Sequence, residues 1–195
     1  MLVIGLTGGM GMGKSTAAAV FRRARIPVFD ADRAVHALGA KGGRAVAPIG
    51  AAFPGTVRNG AVDRARLRKQ VIGDPTGIER LEAILHPLVR AAERGFLARA
   101  RRAGRRVAVL DIPLLLETGS ERRVHRVVVV SAPTSVQRAR LRRRGMMQPD
   151  ELSAILARQM PDREKRRRAD LVVPTGLSRH HGQRVLRRLI GELLA

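Results

Sequence analysis

Short apolar runs alternate along the chain with segments of helical periodicity. The apolar runs predict buried strands over 2–7, 26–29, 106–110, 127–130 and 171–173. The amphipathic segments predict helices over 13–24, 63–71, 78–102, 134–144, 149–158 and 178–194. Continuously apolar strands separated by helices are typical of a parallel sheet covered on both faces. The pattern therefore predicts an α/β fold with a central parallel sheet.

The connection between the first strand and the first helix is rich in glycine. Gly8, four further residues, and then Gly13, Lys14 and Ser15 satisfy the phosphate-binding-loop (P-loop) pattern. Backbone N–H groups in such a loop form a cradle for phosphate groups, Lys14 would reach the β- and γ-phosphates, and Ser15 would ligate Mg²⁺. The alternative is a strand-to-helix turn with no ligand. That alternative is disfavoured because a lysine followed by a hydroxyl at a helix start has no packing purpose.

Two aspartates follow the second predicted strand. Asp30 and Asp32 come at its carboxyl end, and in a parallel sheet this end faces the ligand site. In an extended segment both side chains would lie on one side, where either could accept a proton from a substrate hydroxyl while the other serves packing or the metal. For Asp32 the alternative is a helix N-cap.

The segment of about 40–103 interrupts the alternation of strands and helices. It begins with a stretch over 39–60 that is rich in Gly, Pro and Ala with scattered basic residues, and the helical pattern resumes near Asp63. We expect a helical insert that carries the second substrate. His86 precedes Pro87, where a proline should kink or restart the helix. His86 is either a buried structural histidine or a substrate contact, and the sequence does not favour one of these.

Two charged features follow the insert. Asp111 comes directly after the third strand, where P-loop proteins place the carboxylate that orders Mg²⁺, although Asp30 is an alternative for that role.

Arginines are dense over 138–144 and again over 163–168. A solvated helix face is the default interpretation of such runs. Their place beside a predicted helical hairpin instead indicates a lid of about 138–168 over the transferring phosphoryl group.

Composition limits the possible classes of protein. The 195 residues suit one α/β domain, and the absence of cysteine excludes disulfides, thiolate metal sites and cysteine nucleophiles. We find no signal peptide and no membrane span, and we expect a cytoplasmic protein. The net charge of +22 fits either phosphate-bearing substrates or nucleic acid. With no Trp or Tyr and only four Phe, stacking platforms for single-stranded bases are nearly absent, which favours small substrates.

Five elements, in this order, resemble the dephospho-coenzyme A kinase family. They are residues 5–16, Asp30 to Asp32, residues 85–90, residues 111–117, and residues 159–161 with 165–166 and 169–170. The P-loop alone is shared by many unrelated enzymes, but the order and spacing of the five elements are specific. The likeness covers nearly the whole chain. One departure is Pro174-Thr175-Gly176, where many relatives carry an asparagine, so backbone atoms would replace a side-chain contact to adenine.

The resemblance implies a P-loop NTPase fold of three α/β/α layers, with a core of 1–39 and 104–195, a helical coenzyme A-binding insert and a helical lid. It implies transfer of the γ-phosphoryl group of ATP to the ribose 3'-hydroxyl of dephospho-CoA, with Mg²⁺. Asp32, Lys14 and Arg140 would act in catalysis, Asp32, His86 and Leu114 would contact the acceptor, and Ser15 and Asp111 would hold the metal. The residues expected to bind ATP are Gly9, Gly11, Met12, Gly13, Lys14, Ser15, Thr16 and Arg144.

Two other functions remain as alternatives. A phosphotransferase of the same fold could act on a nucleoside, a nucleotide or a shikimate-like acceptor. A nucleic-acid-binding ATPase is suggested only by the net charge, and the chain has no groove-reading or stacking element. We therefore expect ATP and dephospho-CoA as partners, with no specific nucleic acid and no membrane. We expect a monomer, with weak oligomerisation as the alternative.

Overall fold

The computed structural model describes residues 1–144 and 159–194. The chain divides into two compact units, one formed by Met1–Phe29 with Ala100–Ala195 and the other by Asp30–Arg99. The predicted insert began near residue 40, whereas the second unit begins at Asp30, where the second strand ends. The role of this unit in binding coenzyme A stays a prediction.

The secondary structure follows the predicted alternation closely. The strands are β1 (Leu2–Thr7), β2 (Val28–Asp30), β3 (Val57–Arg58), β4 (Ala61–Val62), β5 (Val107–Asp111), β6 (Arg126–Ser131) and β7 (Leu171–Pro174). The helices are α1 (Lys14–Arg23), α2 (Ala31–Gly39), α3 (Val46–Ala52), α4 (Arg64–Val71), α5 (Pro75–Arg102), α6 (Thr134–Arg144), α7 (Asp162–Arg167) and α8 (Arg179–Leu194). A short 3₁₀ helix covers Ser120–Arg123.

A five-stranded sheet in the order β2-β5-β1-β6-β7 forms the centre of the first unit. β1 pairs in parallel with both β5 and β6, and β6 pairs in parallel with β7. In the centre of the sheet, Ile4 lies opposite Val109 on one side and Arg126 on the other. The prediction of an α/β fold with a central parallel sheet is confirmed.

Both faces of this sheet are covered by apolar side chains. Val128 packs into a cluster with Phe21 of α1 and Leu186 of α8, while its neighbour Val129 packs on the opposite face with Leu115. Burying a side chain of this size contributes about 2 kcal/mol. The continuously apolar sequence of β6 is thus explained, because successive residues of a strand point to opposite faces and here both faces are covered.

The second unit has its own small core of Ala45, Ile49, Phe53 and Leu67. No helix or strand was predicted over 39–60, whereas α3 and the hairpin of β3 and β4 lie there. The two-residue turn of the hairpin has φ of 50° at Asn59 and 75° at Gly60. Asn-Gly is the pair that a type I′ turn favours, so the signal for this hairpin is present in the sequence.

Helix α5 continues without interruption through Pro87. A kink or restart at this proline was predicted. The restart is wrong, because the structure keeps 28 residues in one helix, and the kink stays a prediction. Pro87 and Ala83 both lie on the exposed side, so the carbonyl that loses its N–H partner can face water. Solvent access therefore makes the proline tolerable within the helix.

The chain ends in the predicted amphipathic helix. His181 N–H donates to Ser178 Oγ at 3.1 Å, which confirms Ser178 as its cap. The predicted lid of about 138–168 lies only partly within the described residues, and the predicted helix over 149–158 lies outside them. Among the helices described, none combines the length and the apolar character needed to cross a bilayer.

Candidate active site

The P-loop connects β1 to α1, and its path requires glycine at two positions. A Cβ atom on Gly8 would lie 2.6 Å from the carbonyl oxygen of Val130, so any side chain there would collide with the backbone of β6. Gly13 has a φ of 95°, in the left-handed region, and is the N-cap of α1. The loop therefore has the tight strand-to-helix geometry that the spacing of the glycines predicts.

Lys14 and Asp111 form an ion pair beneath this loop. The Nζ atom of Lys14 lies 2.7 Å from Oδ1 of Asp111, and the side chains are 16% and 3% exposed. Lys14 is the first residue of α1 and Asp111 is the last residue of β5, so the parallel pairing of β1 with β5 brings the two together. A cation and an anion are thus held at the carboxyl edge of the sheet, where phosphate and metal chemistry need them.

The donor set at this edge fits a magnesium ion bound together with a nucleotide. Ser15 and Thr16 are exposed in the first turn of α1, where their hydroxyls are accessible, and Asp111 supplies a carboxylate. Within residues 1–144 and 159–194, no group of three or more acidic or histidine side chains could hold a metal. Mg²⁺ bound with a nucleotide needs only one or two protein ligands, since phosphates and waters supply the rest.

A cavity of about 450 Å³ opens beside the P-loop in the first unit. α1 contributes Thr16 and Ala17 to its wall, α6 contributes Arg140 and Arg143, and Thr175 lies after β7. The side chain of Met12 is buried, and its sulfur accepts from Ala132 N–H at 3.1 Å, so the predicted contact of Met12 with ATP stays a prediction. The cavity combines guanidinium groups with glycine backbone and aliphatic side chains, and the predicted contact of such groups with adenine stays a prediction.

Arg140 lies against the P-loop in this structure. Its Nη1 atom donates to the Gly11 carbonyl at 3.3 Å, and its Nη2 atom donates to the Thr175 carbonyl at 2.6 Å. Both acceptors are uncharged, so the positive charge of Arg140 remains beside the loop. The other predicted arginine, Arg144, is the last residue of α6, and its side chain lies outside the described part of the chain.

The aspartates after β2 differ from the predicted extended arrangement. Asp30 is the N-cap of α2, and its Oδ1 atom accepts from Arg33 N–H at 3.0 Å. Asp32 lies in the first helical turn with an exposed side chain. The N-cap alternative for Asp32 is therefore wrong, since Asp30 takes that position. The placement of both side chains on one side of an extended segment is also wrong. Asp32 belongs to the second unit, and its role in catalysis stays a prediction.

The two remaining predicted substrate contacts occupy different units. His86 is exposed in the middle of α5, so the interpretation as a buried structural histidine is wrong. Leu114 is half-buried in the turn after β5, and its carbonyl accepts from the N–H and the hydroxyl of Thr118. Their contact with an acceptor stays a prediction.

Three polar residues beside the P-loop had no predicted role. Gln159 Oε1 accepts from Met10 N–H at 3.1 Å, and Gln137 Nε2 donates to the Met10 carbonyl at 2.7 Å. Thr175 Oγ1 donates to the Met12 carbonyl at 2.6 Å. Gln159 and Thr175 occur in stretches that the sequence singled out, but nothing around Gln137 indicated a contact with the loop. Hydrogen bonds between residues so distant in sequence cannot be predicted from local patterns, because they depend on the tertiary structure.

A buried ion pair stabilises the segment that carries Gln159. Nζ of Lys165, which is 1% exposed, lies 2.7 Å from Oε1 of Glu117. The same Glu117 oxygen accepts from Met160 N–H at 2.9 Å. The pair therefore fixes the backbone next to Gln159 against the turn that follows β5.

Several known proteins with similar sequences are named dephospho-CoA kinase. The family model of dephospho-CoA kinase matches residues 2–178. A dephospho-CoA kinase from Paramagnetospirillum magneticum is 61% identical over 166 residues, which is 85% of this chain and 78% of that protein. Another from Mesorhizobium japonicum is 53% identical over 193 residues, which is 99% of this chain and 97% of that protein.

Solved structures give the same result for the fold. A crystal structure from Thermus thermophilus superposes with a TM-score of 0.85 at 34% identity and covers 98% of this chain and 97% of its own. Dephospho-CoA kinase from Campylobacter jejuni has a TM-score of 0.73 at 21% identity, covers 98% of this chain and 96% of its own, and supports the fold alone. From the family match over residues 2–178 and the identity of its relatives, this chain belongs to the dephospho-CoA kinase family.

Proposed function

We propose that this protein transfers the γ-phosphoryl group of ATP to the ribose 3'-hydroxyl of dephospho-CoA, giving CoA and ADP. The observation that carries the proposal is the P-loop of a dephospho-CoA kinase family member, with Lys14 paired 2.7 Å from Asp111 at the carboxyl edge of the sheet. A lysine in this position matches the charge of a triphosphate bound to the loop.

The reaction places simple demands on these residues. Phosphoryl transfer needs the donor and acceptor in line and the equatorial oxygens neutralised. In the proposed mechanism, Lys14 and the charge of Arg140 neutralise the phosphates, and the N–H groups of the loop orient them. Asp32 accepts the proton of the ribose 3'-hydroxyl as that oxygen attacks phosphorus and the bond to the ADP oxygen breaks.

We also propose that Ser15 and Asp111 hold the magnesium ion that accompanies ATP. The support is chemical, because a hydroxyl at the start of a P-loop helix and a carboxylate at the end of the next strand are hard oxygen ligands. Mg²⁺ would supply charge neutralisation across the β- and γ-phosphates. Nζ of Lys14 donates to Oδ1 of Asp111 at 2.7 Å, so the lysine lies next to one of the two proposed metal ligands.

The second unit, residues 30–99, is the proposed site of the acceptor, with contacts from His86 and, in the first unit, from Leu114. The arginines of α6 remain candidates for a lid that excludes water from the phosphoryl group. We propose that the protein acts in the cytoplasm, since ATP and dephospho-CoA are metabolites of that compartment. We also propose that it is a monomer and binds no specific nucleic acid. Size-exclusion chromatography with light scattering tests the oligomeric state.

Mass spectrometry after incubation with Mg-ATP and dephospho-CoA tests the reaction. We expect a product heavier by one phosphoryl group, with the new phosphate on the ribose. A panel with shikimate, nucleosides and nucleotides as acceptors is the control. Phosphorylation of one of these in preference to dephospho-CoA would replace the proposed acceptor.

A further inference from the structure

Three consecutive carbonyl groups of the P-loop each accept a hydrogen bond from a side chain elsewhere in the first unit. Gln137 donates to Met10, Arg140 donates to Gly11, and Thr175 donates to Met12, at 2.7, 3.3 and 2.6 Å. All three donors lie far from the loop in sequence, on α6 or directly after β7. We call Gln137, Arg140 and Thr175 the carbonyl clamp.

The clamp determines where the amide hydrogens of the loop point. In a trans peptide, the carbonyl of one residue and the N–H of the next point in opposite directions, and no peptide of the described chain is cis. Fixing the Met10 carbonyl therefore directs Gly11 N–H away from Gln137. Fixing the Met12 carbonyl likewise directs Gly13 N–H away from Thr175.

The N–H groups of Gly11 and Gly13 are among those that this arrangement leaves for a ligand. Met12 N–H donates to the Gly9 carbonyl at 3.1 Å, and Met10 N–H donates to Gln159 Oε1 at 3.1 Å. In the described ranges 1–144 and 159–194, neither Gly11 N–H nor Gly13 N–H donates to another protein group. Both glycines line the cavity of about 450 Å³.

Thr175 is the most constrained member of the clamp. Its hydroxyl has one proton, which lies between the Met12 carbonyl at 2.6 Å and the Ser131 carbonyl at 3.1 Å, so the shorter contact takes it. The same oxygen accepts from Arg140 Nη1 at 3.3 Å, and its backbone carbonyl accepts from Nη2. Thr175 thus holds both the loop and the arginine that contacts Gly11.

We propose that Gln137 and Thr175 are positioning residues, which fix the P-loop carbonyls so that the amides of Gly11 and Gly13 are oriented for a triphosphate before it binds. The inference rests on the proposed binding of ATP to this loop and adds the side chains that prepare the loop. A loop held in its binding conformation loses less conformational entropy when the ligand arrives. Gln137 and Thr175 therefore increase the affinity for the triphosphate, although their own side chains do not contact it.

Isothermal titration with Mg-ATP tests this proposal without any acceptor. Thr175→Val keeps the shape of the side chain and removes the hydroxyl, and we expect it to weaken ATP affinity about three- to tenfold, the effect of one hydrogen bond. Thr175→Ser keeps the hydroxyl and should retain affinity within about twofold of wild type. Gln137→Met should weaken affinity like Thr175→Val and remains informative if Thr175→Val does not fold.

A matched control uses a hydrogen bond of the same kind elsewhere. Gln70 Nε2 donates to the Pro54 carbonyl at 2.9 Å in the second unit, and Gln70→Met should leave ATP affinity unchanged. NMR gives a second readout, the change in the Gly13 amide resonance on addition of Mg-ATP, which should be smaller in Thr175→Val than in Thr175→Ser. A merely structural role would change the unfolding temperature and leave this ATP-induced change as in wild type.

Each outcome separates the hypotheses. Wild-type affinity in Thr175→Val and in Gln137→Met, with a wild-type change in the Gly13 resonance on addition of Mg-ATP, would overturn the carbonyl clamp. A wild-type protein with no affinity for Mg-ATP would overturn the proposed function and the clamp together. A protein that binds Mg-ATP but leaves dephospho-CoA unchanged would overturn only the acceptor.

Discussion

The ammonium group of Lys14 lies 2.7 Å from the buried carboxylate of Asp111, across the seam between β1 and β5. Through this ion pair each partner contributes to the folded structure, besides its proposed role in catalysis. Removing the charge of Lys14 should therefore affect both turnover and stability, because a buried carboxylate without its neighbouring cation is unfavourable.

Lys14→Met should separate these two effects. We expect turnover to fall by at least about a hundredfold, since the lysine charge no longer neutralises the phosphates, and stability to fall by about 2 kcal/mol. Urea unfolding and steady-state kinetics measure the two effects. Adding Asp111→Asn to this variant should recover most of the stability but none of the turnover. A single variant as stable as wild type would show that the ion pair contributes nothing to folding.

Asp32→Asn should leave ATP affinity nearly intact and lower turnover by roughly a hundredfold or more, about 2.7 kcal/mol in the barrier. The amide cannot accept the proton of the substrate hydroxyl. The control is Asp63→Asn, because Asp63 caps α4 by accepting from Ala65 and Arg66 N–H, and asparagine caps a helix equally well. Turnover in Asp32→Asn equal to that of the control variant would remove Asp32 from the mechanism.

Two glycines should respond in opposite ways to alanine. Gly8→Ala places a methyl group 2.6 Å from the Val130 carbonyl oxygen, so the loop must move, and Mg-ATP binding should fall below detection by calorimetry. Gly191 lies in α8 with nothing within 4 Å of the added methyl group, and Gly191→Ala should raise stability by about 0.5–1 kcal/mol. Wild-type binding by Gly8→Ala would contradict the close approach of the loop to β6.

The adenine bases should be bound without aromatic stacking. Phe21, Phe29 and Phe53 are buried, whereas Arg140 and Arg143 line the cavity beside the P-loop. A crystal structure with an ATP analogue should show the base against guanidinium, aliphatic or backbone atoms. A base held between two phenylalanine rings would refute this expectation.

Structural features that depend on residues close together in the sequence could be predicted from the sequence. Gly8, Gly13 and Lys14 define the loop through local spacing, and Asp111 ends an apolar run, so the strands bring Lys14 and Asp111 together once they pair in parallel. The boundaries of β1 and the Ser178 cap were predicted for the same reason, since both depend on neighbouring residues.

Features that depend on distant contacts or on solvent exposure could not be predicted. Thr175 and Met12 meet only because β7 and the P-loop occupy the same end of the sheet. The uninterrupted α5 depends on the exposure of Pro87, which periodicity does not give. The error at Asp30 was different, because an N-cap signal was present there but was assigned to Asp32.

Transfer of the labelled γ-phosphoryl group from Mg-ATP to dephospho-CoA in a single turnover is the most direct test of the central claim. The wild-type protein should move the label to the ribose 3'-oxygen, and Lys14→Met should move it at least about a hundredfold more slowly. Label that appears only in inorganic phosphate, or equal rates in the two proteins, would contradict a P-loop that uses Lys14 to transfer phosphoryl groups to an alcohol.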